Sequence, residues 1–418
     1  MNDIYQEIKK DFQVKKFCYY GFLKNLRFFE PYLYIYLLQV VELNLFQIGL
    51  LLSIREFTMY IFEIPSGIFA DQYGKKNELV LCFIFYIISF FLFYVGNQFL
   101  IIIFGMIFFG LGEAFRSGTH KAMIYSYLEQ KGWFNYKTFV YGRTRSYSLI
   151  GSSISSFIAI YLVIQFPEIK TIFLFSIIPY LLDLLLIISY PSSLNESIET
   201  KFSFKKFMIF SIEKFKNMVT NTMLRKIVLS SSIFDAIFKS LKDYIQPILS
   251  NLILASGTYI ISTMDAEVQL KIALGMIYGV IYIFSAWVSR NIYRLNTKWS
   301  SADLMDISYV IFGVTFFVLS FTIKKELITI VILLYLLLYL LKDGRRPLVV
   351  DVFGNYMKKD ERATVMSIES QTRSLLMVIL APLMGYIAHR FSIPTLFLMI
   401  GLSLLIIIHF IRVKVDKK

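Results

Sequence analysis

Carboxylates and cationic side chains interrupt the apolar runs of this sequence at Arg27, Glu30, Arg55, Glu56, Glu63, Asp183, Asp235 and Lys239. Inside a bilayer such groups are costly, so they point to proton carriage, gating pairs or recognition of a polar solute. Arg27 and Glu30 lie three residues apart, one turn on one helix face, where they can neutralise each other. Counted back from Val41, Glu30 sits near mid-membrane, and a carboxylate there without a permanent partner can take up and release a proton. Arg55 and Glu56 are adjacent and so point to different faces, at least one of them toward a central cavity. Glu63 lies two turns from Asp71 and is expected to anchor a gate through a basic residue such as Arg116 or Arg145. Asp235 and Lys239, at i and i+4, make a favourable local pair. Arg143, Arg145, Glu369 and Arg373 gather near helix ends, as do Arg345, Arg346 and Asp351, where salt bridges can close one side of a pathway. Arg145 and Arg373 also have the planar guanidinium geometry that grips an anionic solute. Asp183 has no partner evident from spacing.

Apolar helices must position these groups. The chain has 418 residues, of which 57% are hydrophobic, and a mean hydropathy of +0.62. About twelve apolar runs approach the ~20 residues that a span needs. They begin near residues 20, 47, 78, 99, 139, 170, 226, 269, 303, 326, 364 and 393. Backbone groups in lipid must bond internally, so continuous runs of this kind are helices; a barrel would need alternation. The net charge of +14 sorts by side. Lys170, Lys324, Lys325 and Arg390 fall in loops assigned outside, and most other loop cations fall inside. This distribution places both termini in the cytoplasm and favours an integral, multi-pass plasma (inner) membrane protein contacting lipid over a nucleic-acid binder. Met1 to Lys16 are polar and basic and the first apolar run is full length, so no cleavable signal peptide is expected.

The longest inside loop contains Lys201, Lys205, Lys206, Lys214 and Lys216 interleaved with Phe202, Phe204, Phe207, Phe210 and Phe215. A basic amphipathic stretch of this kind reads as an interfacial helix on the lipid surface. The expected organisation is a six-helix bundle over 1–190, a cytoplasmic linker with that helix over 191–224, and a second six-helix bundle over 225–418. The halves resemble each other: Thr144-Arg145-Ser146 opens the fifth span, and Thr372-Arg373-Ser374 opens the eleventh. Cys18 and Cys82 imply no disulfide framework. His120, His389 and His409 are scattered without ligand spacing, so no metal or other cofactor is expected.

The segment Glu63 to Lys76 reads Glu-Ile-Pro-Ser-Gly-Ile-Phe-Ala-Asp-Gln-Tyr-Gly-Lys-Lys and bridges two apolar runs. Gly67 and Asp71 share one helix face. Gly67 would let a neighbouring helix approach closely, Gly74 supplies the turn, and Lys75 and Lys76 hold it on the cytoplasmic side. This segment resembles the loop motif between the second and third helices of the major facilitator superfamily, with Gln72 standing where the family usually has Arg. Further segments have the same look: Gly110 to Gly118, Tyr244 to Pro247, Arg362 to Ser367 and Ala381 to Gly385. The proline-glycine motif of the family's drug–proton antiporters is missing from the fifth span. The resemblance implies an all-α membrane protein with twelve transmembrane helices in two pseudo-symmetric six-helix bundles, with nested repeats.

The function expected from residues and resemblance together is secondary active transport of a small organic solute by alternating access, coupled to protons. Gly67, Asp71, Gly74, Lys75, Lys76, Arg145 and Arg373 form the loop motif and gate. Arg27, Glu30, Glu56, Glu63, Asp235 and Lys239 line a cavity or couple protons. Direction stays open, with export ahead of import, and the usual form in the family is a monomer. No phosphate-binding loop of the type Gly-x-x-x-x-Gly-Lys-Ser/Thr occurs, so the chain is not its own ATPase. A polytopic membrane enzyme would need a nucleophile–base or metal constellation, for which His120 beside Lys121 is the one inner-face candidate. A non-transporting sensor or passive pore is the third class.

Overall fold

The computed structural model describes residues 2–166, 168–195, 221–255, 265–292, 299–356 and 362–413. Their regular structure is helical throughout. The helices are α1 (Asn2–Lys10), α2 (Phe12–Leu23), α3 (Leu33–Ile35), α4 (Leu45–Tyr73), α5 (Lys75–Val95), α6 (Phe99–Arg116), α7 (Thr119–Gln130) and α8 (Lys137–Gln165). They continue with α9 (Thr171–Ile188), α10 (Thr222–Leu241), α11 (Ile245–Ser250), α12 (Ala266–Asn291), α13 (Ser301–Lys324), α14 (Ile328–Tyr356), α15 (Arg362–Arg390) and α16 (Ile393–Ile411). The basic aromatic stretch expected to lie on the lipid surface, Lys201 to Lys216, falls outside the described residues.

Nine helical segments among the described residues are long and apolar enough to cross a membrane. They coincide with the runs expected near 47, 78, 99, 139, 170, 269, 303, 364 and 393. The runs expected near 20, 226 and 326 fall on α2 with its following turns, on α10 with α11, and on α14. These three are broken or carry clustered charge: Lys24 and Arg27, then Asp235, Lys239 and Lys242, then Lys342, Asp343 and Arg345.

Helix starts follow local chemistry. Asp11 caps α2 by accepting from the Val14 amide at 2.9 Å, and Asn221 caps α10 by accepting from Met223 and Leu224 at 3.1 Å each. Ser300 and Ser392 cap α13 and α16 in the same way. Such side chains satisfy amides that the first helical turn leaves without partners. Pro65, Pro179, Pro347 and Pro382 lie inside α4, α9, α14 and α15. Each removes one backbone hydrogen bond, a loss that neighbouring helices offset in a packed bundle.

The chain divides into two compact units, each discontinuous in sequence. The first comprises 1–42, 54–202 and 271–283. In it α5 packs on α6 and α9, and α2 packs on α8. Its centre is aromatic: Phe29, Phe83, Tyr86, Phe90, Phe173 and Tyr180 are buried against one another. Gly21 and Gly151 face the backbones of α8 and α2 respectively, so small residues let these two helices touch. The second unit comprises 43–53, 203–270 and 284–418. Here α13 packs on α14 and α16, and α10 packs on α15. Its apolar core includes Ile227, Val228, Met305, Val352 and Phe353, with Phe234 stacked on Phe312 at 4.0 Å.

Candidate functional site

The first unit holds a charged cluster that begins where a helix breaks. The helix α2 ends at its C-cap Lys24, and a 3₁₀ turn follows at Glu30–Tyr32. Asn25 donates its side-chain amide to the Gly21 carbonyl at 2.6 Å, competing with the backbone ladder. Pro31 disfavours the helical region at Glu30. The Lys24 carbonyl, exposed by the break, accepts from Tyr180 Oη at 2.8 Å.

Spacing allowed Arg27 to pair with Glu30, but the partners that Arg27 takes lie elsewhere. Arg27 turns instead to α6. Its Nη2 lies 2.9 Å from Glu113 Oε1, and its Nε donates to Tyr180 Oη at 2.7 Å. Arg116 Nη2 reaches the other Glu113 oxygen at 2.5 Å. Tyr86 Oη donates to Glu113 Oε1 at 2.7 Å. The guanidinium of Arg27 also faces the rings of Phe109 and Tyr86, 5.2 Å and 5.5 Å from their centroids. One carboxylate therefore serves two guanidinium groups, and the cluster keeps an excess of positive charge. Glu113 was legible as an i, i+3 partner of Arg116. Tyr86 and Tyr180 carried no such signal.

Arg116 borders a cavity of about 180 Å³. Lys24, Lys121, Arg145 and His120 join it in the lining, with Tyr20, Tyr141, Thr144 and Ser148. His120 stacks on Tyr20 with ring centroids 3.6 Å apart, and its Nε2 lies 3.2 Å from Tyr190 Oη. The cavity thus gathers Arg116 and Arg145, both named from sequence as gate partners for Glu63, with Lys24, which was not singled out for a site. Asp183 is fully buried nearby, and neither of its oxygens has a hydrogen-bond partner among the described residues.

The loop segment is clasped at one end. Gly74 has φ +94° and caps α5, a conformation that favours glycine. Asn195 Oδ1, in the stretch after α9, accepts from the amides of Lys76 and Asn77 at 3.0 Å and 3.4 Å. Lys76 Nζ donates to the Tyr190 carbonyl at 2.9 Å, and Lys75 Nζ reaches Ser126 Oγ at 3.4 Å. Asp71 is half-buried on the last turns of α4. A Cβ at Gly67 would meet no described atom within 4 Å; the close approach expected there occurs at Gly110, which faces the Arg55 carbonyl and Thr58. Glu78, four residues past Gly74, is buried and accepts from Thr119 Oγ1 at 2.7 Å.

Arg55 and Glu56, adjacent on α4, are joined to each other by their side chains. Arg55 Nη2 bends back to Glu56 Oε1 at 2.9 Å, since a long side chain can wrap along the helix surface to reach its neighbour. Arg116, offered as one partner for Glu63, is engaged by Glu113 and Tyr86. Glu63 stays half-buried on α4.

The second unit has its own cluster. Glu369 on α15 is 1% exposed and meets Arg346 Nη1 of α14 at 2.7 Å. Ser231 Oγ on α10 donates to the same carboxylate oxygen at 2.5 Å. The i, i+4 neighbour Arg373 instead donates to Ser370 Oγ at 2.8 Å, so spacing along α15 did not decide this pair. Buried Arg345 donates to Ser230 Oγ at 2.7 Å and Ser308 Oγ at 3.0 Å, and faces the Phe234 ring at 4.6 Å. Asp235 lies within electrostatic reach of Arg345, and Lys239 follows one turn later on α10.

Comparison with known proteins fits this architecture. The profile of the Major Facilitator Superfamily matches residues 17–341. The chain belongs to the major facilitator superfamily. A curated relative, an uncharacterised MFS-type transporter named YxaM from Bacillus subtilis (strain 168), is 21% identical over 383 residues, covering 90% of this chain and 89% of its own. The fold of this major facilitator is similar to that of the nucleoside transporter NupG, with a TM-score of 0.77, 12% identity and coverage of 98% and 100% of the two chains. It is also similar to a POT family transporter solved with 5-aminolevulinic acid, with a TM-score of 0.69, 15% identity and coverage of 95% and 93%. A peptide transporter POT in complex with sulfate gives a TM-score of 0.71 at 11% identity, covering 96% and 94%. The protein is an integral, multi-pass membrane protein of a transporter family.

Proposed function

We propose that this major facilitator is a secondary active transporter that moves a small organic solute across the plasma membrane by alternating access, coupled to protons, with both termini in the cytoplasm. The moving bodies are six-helix bundles over 1–190 and 225–418, joined by the 191–224 linker. The observation that carries this reading is the Arg27–Glu113–Arg116 cluster, tied by Tyr86 and Tyr180 among apolar helices. Ionic groups held at such cost inside a membrane protein mark a solute or ion path. Proton coupling is assigned to the carboxylates Glu30, Glu56, Glu63 and Asp235. Export is the working direction.

Asp71 belongs to the gate in this reading, with Gly67, Gly74, Lys75, Lys76, Arg145 and Arg373. Asp71→Asn should insert and fold normally yet lose most transport. Metabolite profiles of cells and medium, compared between producers of the unmodified chain and of Asp71→Asn, test this. A compound enriched in the medium only with the unmodified chain supports export and names the solute; the reverse pattern supports import. Equal profiles across several growth conditions would remove transport as the reading.

A further inference from the structure

We propose that the groove between α13 and α16 is a binding site for an aminophospholipid, a lipid whose headgroup joins a phosphate to a primary ammonium. The groove lies within the second unit and has a volume of about 430 Å³. Its two ends differ in chemistry. Ile307, Val310 and Ile311 of α13 form an apolar wall, each 38–40% exposed. Asp303, His409 and Arg412 stand at the other end, with Trp299 beside them. The helices impose this division: α13 starts at Ser301 and α16 ends at Ile411, so the start of one meets the end of the other. Asp306 fixes the meeting, because its two oxygens accept from the Val413 amide at 3.0 Å and 3.3 Å. Spanning helices that end together do so at the lipid–water boundary, where tryptophan is enriched. A groove that is apolar along the span and polar at that boundary matches a lipid, with its chain along the wall and its headgroup at the polar end.

The polar end offers acceptors and donors together. Asp303 accepts from Ser300 Oγ at 2.7 Å and has no ion pair among the described residues. His409 Nδ1 lies 3.0 Å from the Leu405 carbonyl. A carbonyl only accepts, so this nitrogen donates, and Nε2 is the acceptor of the neutral ring. Arg412 has a partner of its own: its Nε lies 3.8 Å from Asp306 Oδ2. That contact is longer than a hydrogen bond and engages Nε alone, which leaves the two terminal nitrogens for a phosphate. Among the described residues this end therefore sets two carboxylates, Asp303 and Asp306, against the single guanidinium of Arg412. A bare anion would worsen that balance. A headgroup that brings a cation with its phosphate completes it, the ammonium toward Asp303 and His409 and the phosphate toward Arg412. A primary ammonium donates three hydrogen bonds, whereas the quaternary ammonium of choline donates none. The apolar wall gives room without selectivity, because an acyl chain that enters it leaves one apolar medium for another. Discrimination among lipids falls to Asp303 and Arg412.

The test uses the full-length purified protein, incubated with equal amounts of phosphatidylethanolamine, phosphatidylcholine and phosphatidylglycerol of the same acyl chains. Native mass spectrometry then counts the lipids each molecule retains. The ethanolamine lipid should be retained over each of the others by about fivefold, the size of one net hydrogen bond. Asp303→Asn keeps an acceptor oxygen for Ser300 and removes the charge, and it should bring the ratio of ethanolamine to choline lipid close to one. Arg412→Gln should lower retention of all three, because all three carry the phosphate. Val310→Trp fills the apolar wall and leaves every charge in place, and it too should lower retention of the ethanolamine lipid. Arg412 is 62% exposed, so its replacement leaves the packed core untouched, and a size-exclusion profile and melting temperature matching the unmodified protein show that each variant is folded. Equal retention of the three lipids, a preference for the glycerol lipid, or an ethanolamine preference that survives both Asp303→Asn and Arg412→Gln would overturn the proposal. Lipid retention is read without flux, so this result stands or falls apart from the transport reading.

Discussion

At the scale of residues, Glu113 decides the arrangement of the first unit's charges. It takes Arg27 on one oxygen and Arg116 on the other, while Tyr86 donates to the first. Removing one partner of a partly buried ion pair leaves the others desolvated without compensation, at a cost of about 3–5 kcal/mol for a buried pair and less in proportion to exposure. Glu113 is 18% exposed, so the lower end of that range applies. Glu113→Gln should therefore lower the melting temperature of the detergent-purified protein by several degrees. Adding Arg116→Met should restore part of the loss, because it removes one of the stranded charges. A melting temperature unchanged by Glu113→Gln would mean that the cluster contributes nothing to folding. Arg27 also holds Tyr180 Oη through Nε, a two-direction grip that lysine cannot reproduce.

At the scale of elements, the turn between α4 and α5 is held by a residue remote in sequence. Asn195 bonds two amides at the start of α5, Lys76 crosses to the Tyr190 carbonyl, and Gly74 provides the positive φ. The turn itself was legible: glycine followed by two lysines between apolar runs admits little else. The clasp was not, because Asn195 lies 119 positions from Lys76 and no local pattern links them. The same distinction explains the broken first span. Pro31 and Asn25 hinted at irregularity, but the Tyr180 hydroxyl that satisfies the Lys24 carbonyl comes from α9. Local spacing failed wherever a tertiary partner was stronger, as with Arg27 and Glu30, or Glu369 and Arg373. Asn195→Ala should destabilise the first unit by about 1 kcal/mol, the usual worth of an N-terminal cap. Hydrogen exchange at the amides of Lys76 and Asn77 should rise severalfold while exchange in α13 stays unchanged. Equal exchange at both sites would show that another group caps α5.

At the scale of the whole molecule, apolar runs of spanning length made the helical membrane fold legible, since lipid permits few alternatives. Three charged runs fall on helices that are broken or carry clustered charge, α2 with its following turns, α10 with α11, and α14, whereas α4 keeps Arg55, Glu56 and Glu63 inside one helix of spanning length. The transport reading proposed above assigns its work to charges of this kind, so hydropathy is weakest where that reading places its chemistry. Energy coupling is a property of the full cycle and must be tested there. Glu30 opens the 3₁₀ turn Glu30–Tyr32, six residues beyond the helix break at Lys24, and irregular backbone inside a transporter marks places where ions and solutes are handled. If Glu30 carries the coupled proton, Glu30→Gln fixes it in the neutral form. Exchange of labelled for unlabelled solute, which needs no net proton movement, should then continue at near-normal rate in proteoliposomes. Accumulation driven by an imposed pH gradient should fall to the level of equilibration. Retained pH-driven accumulation in the variant would move the coupling role from Glu30 to Glu56 or Asp235, and loss of both activities would assign Glu30 to solute binding instead.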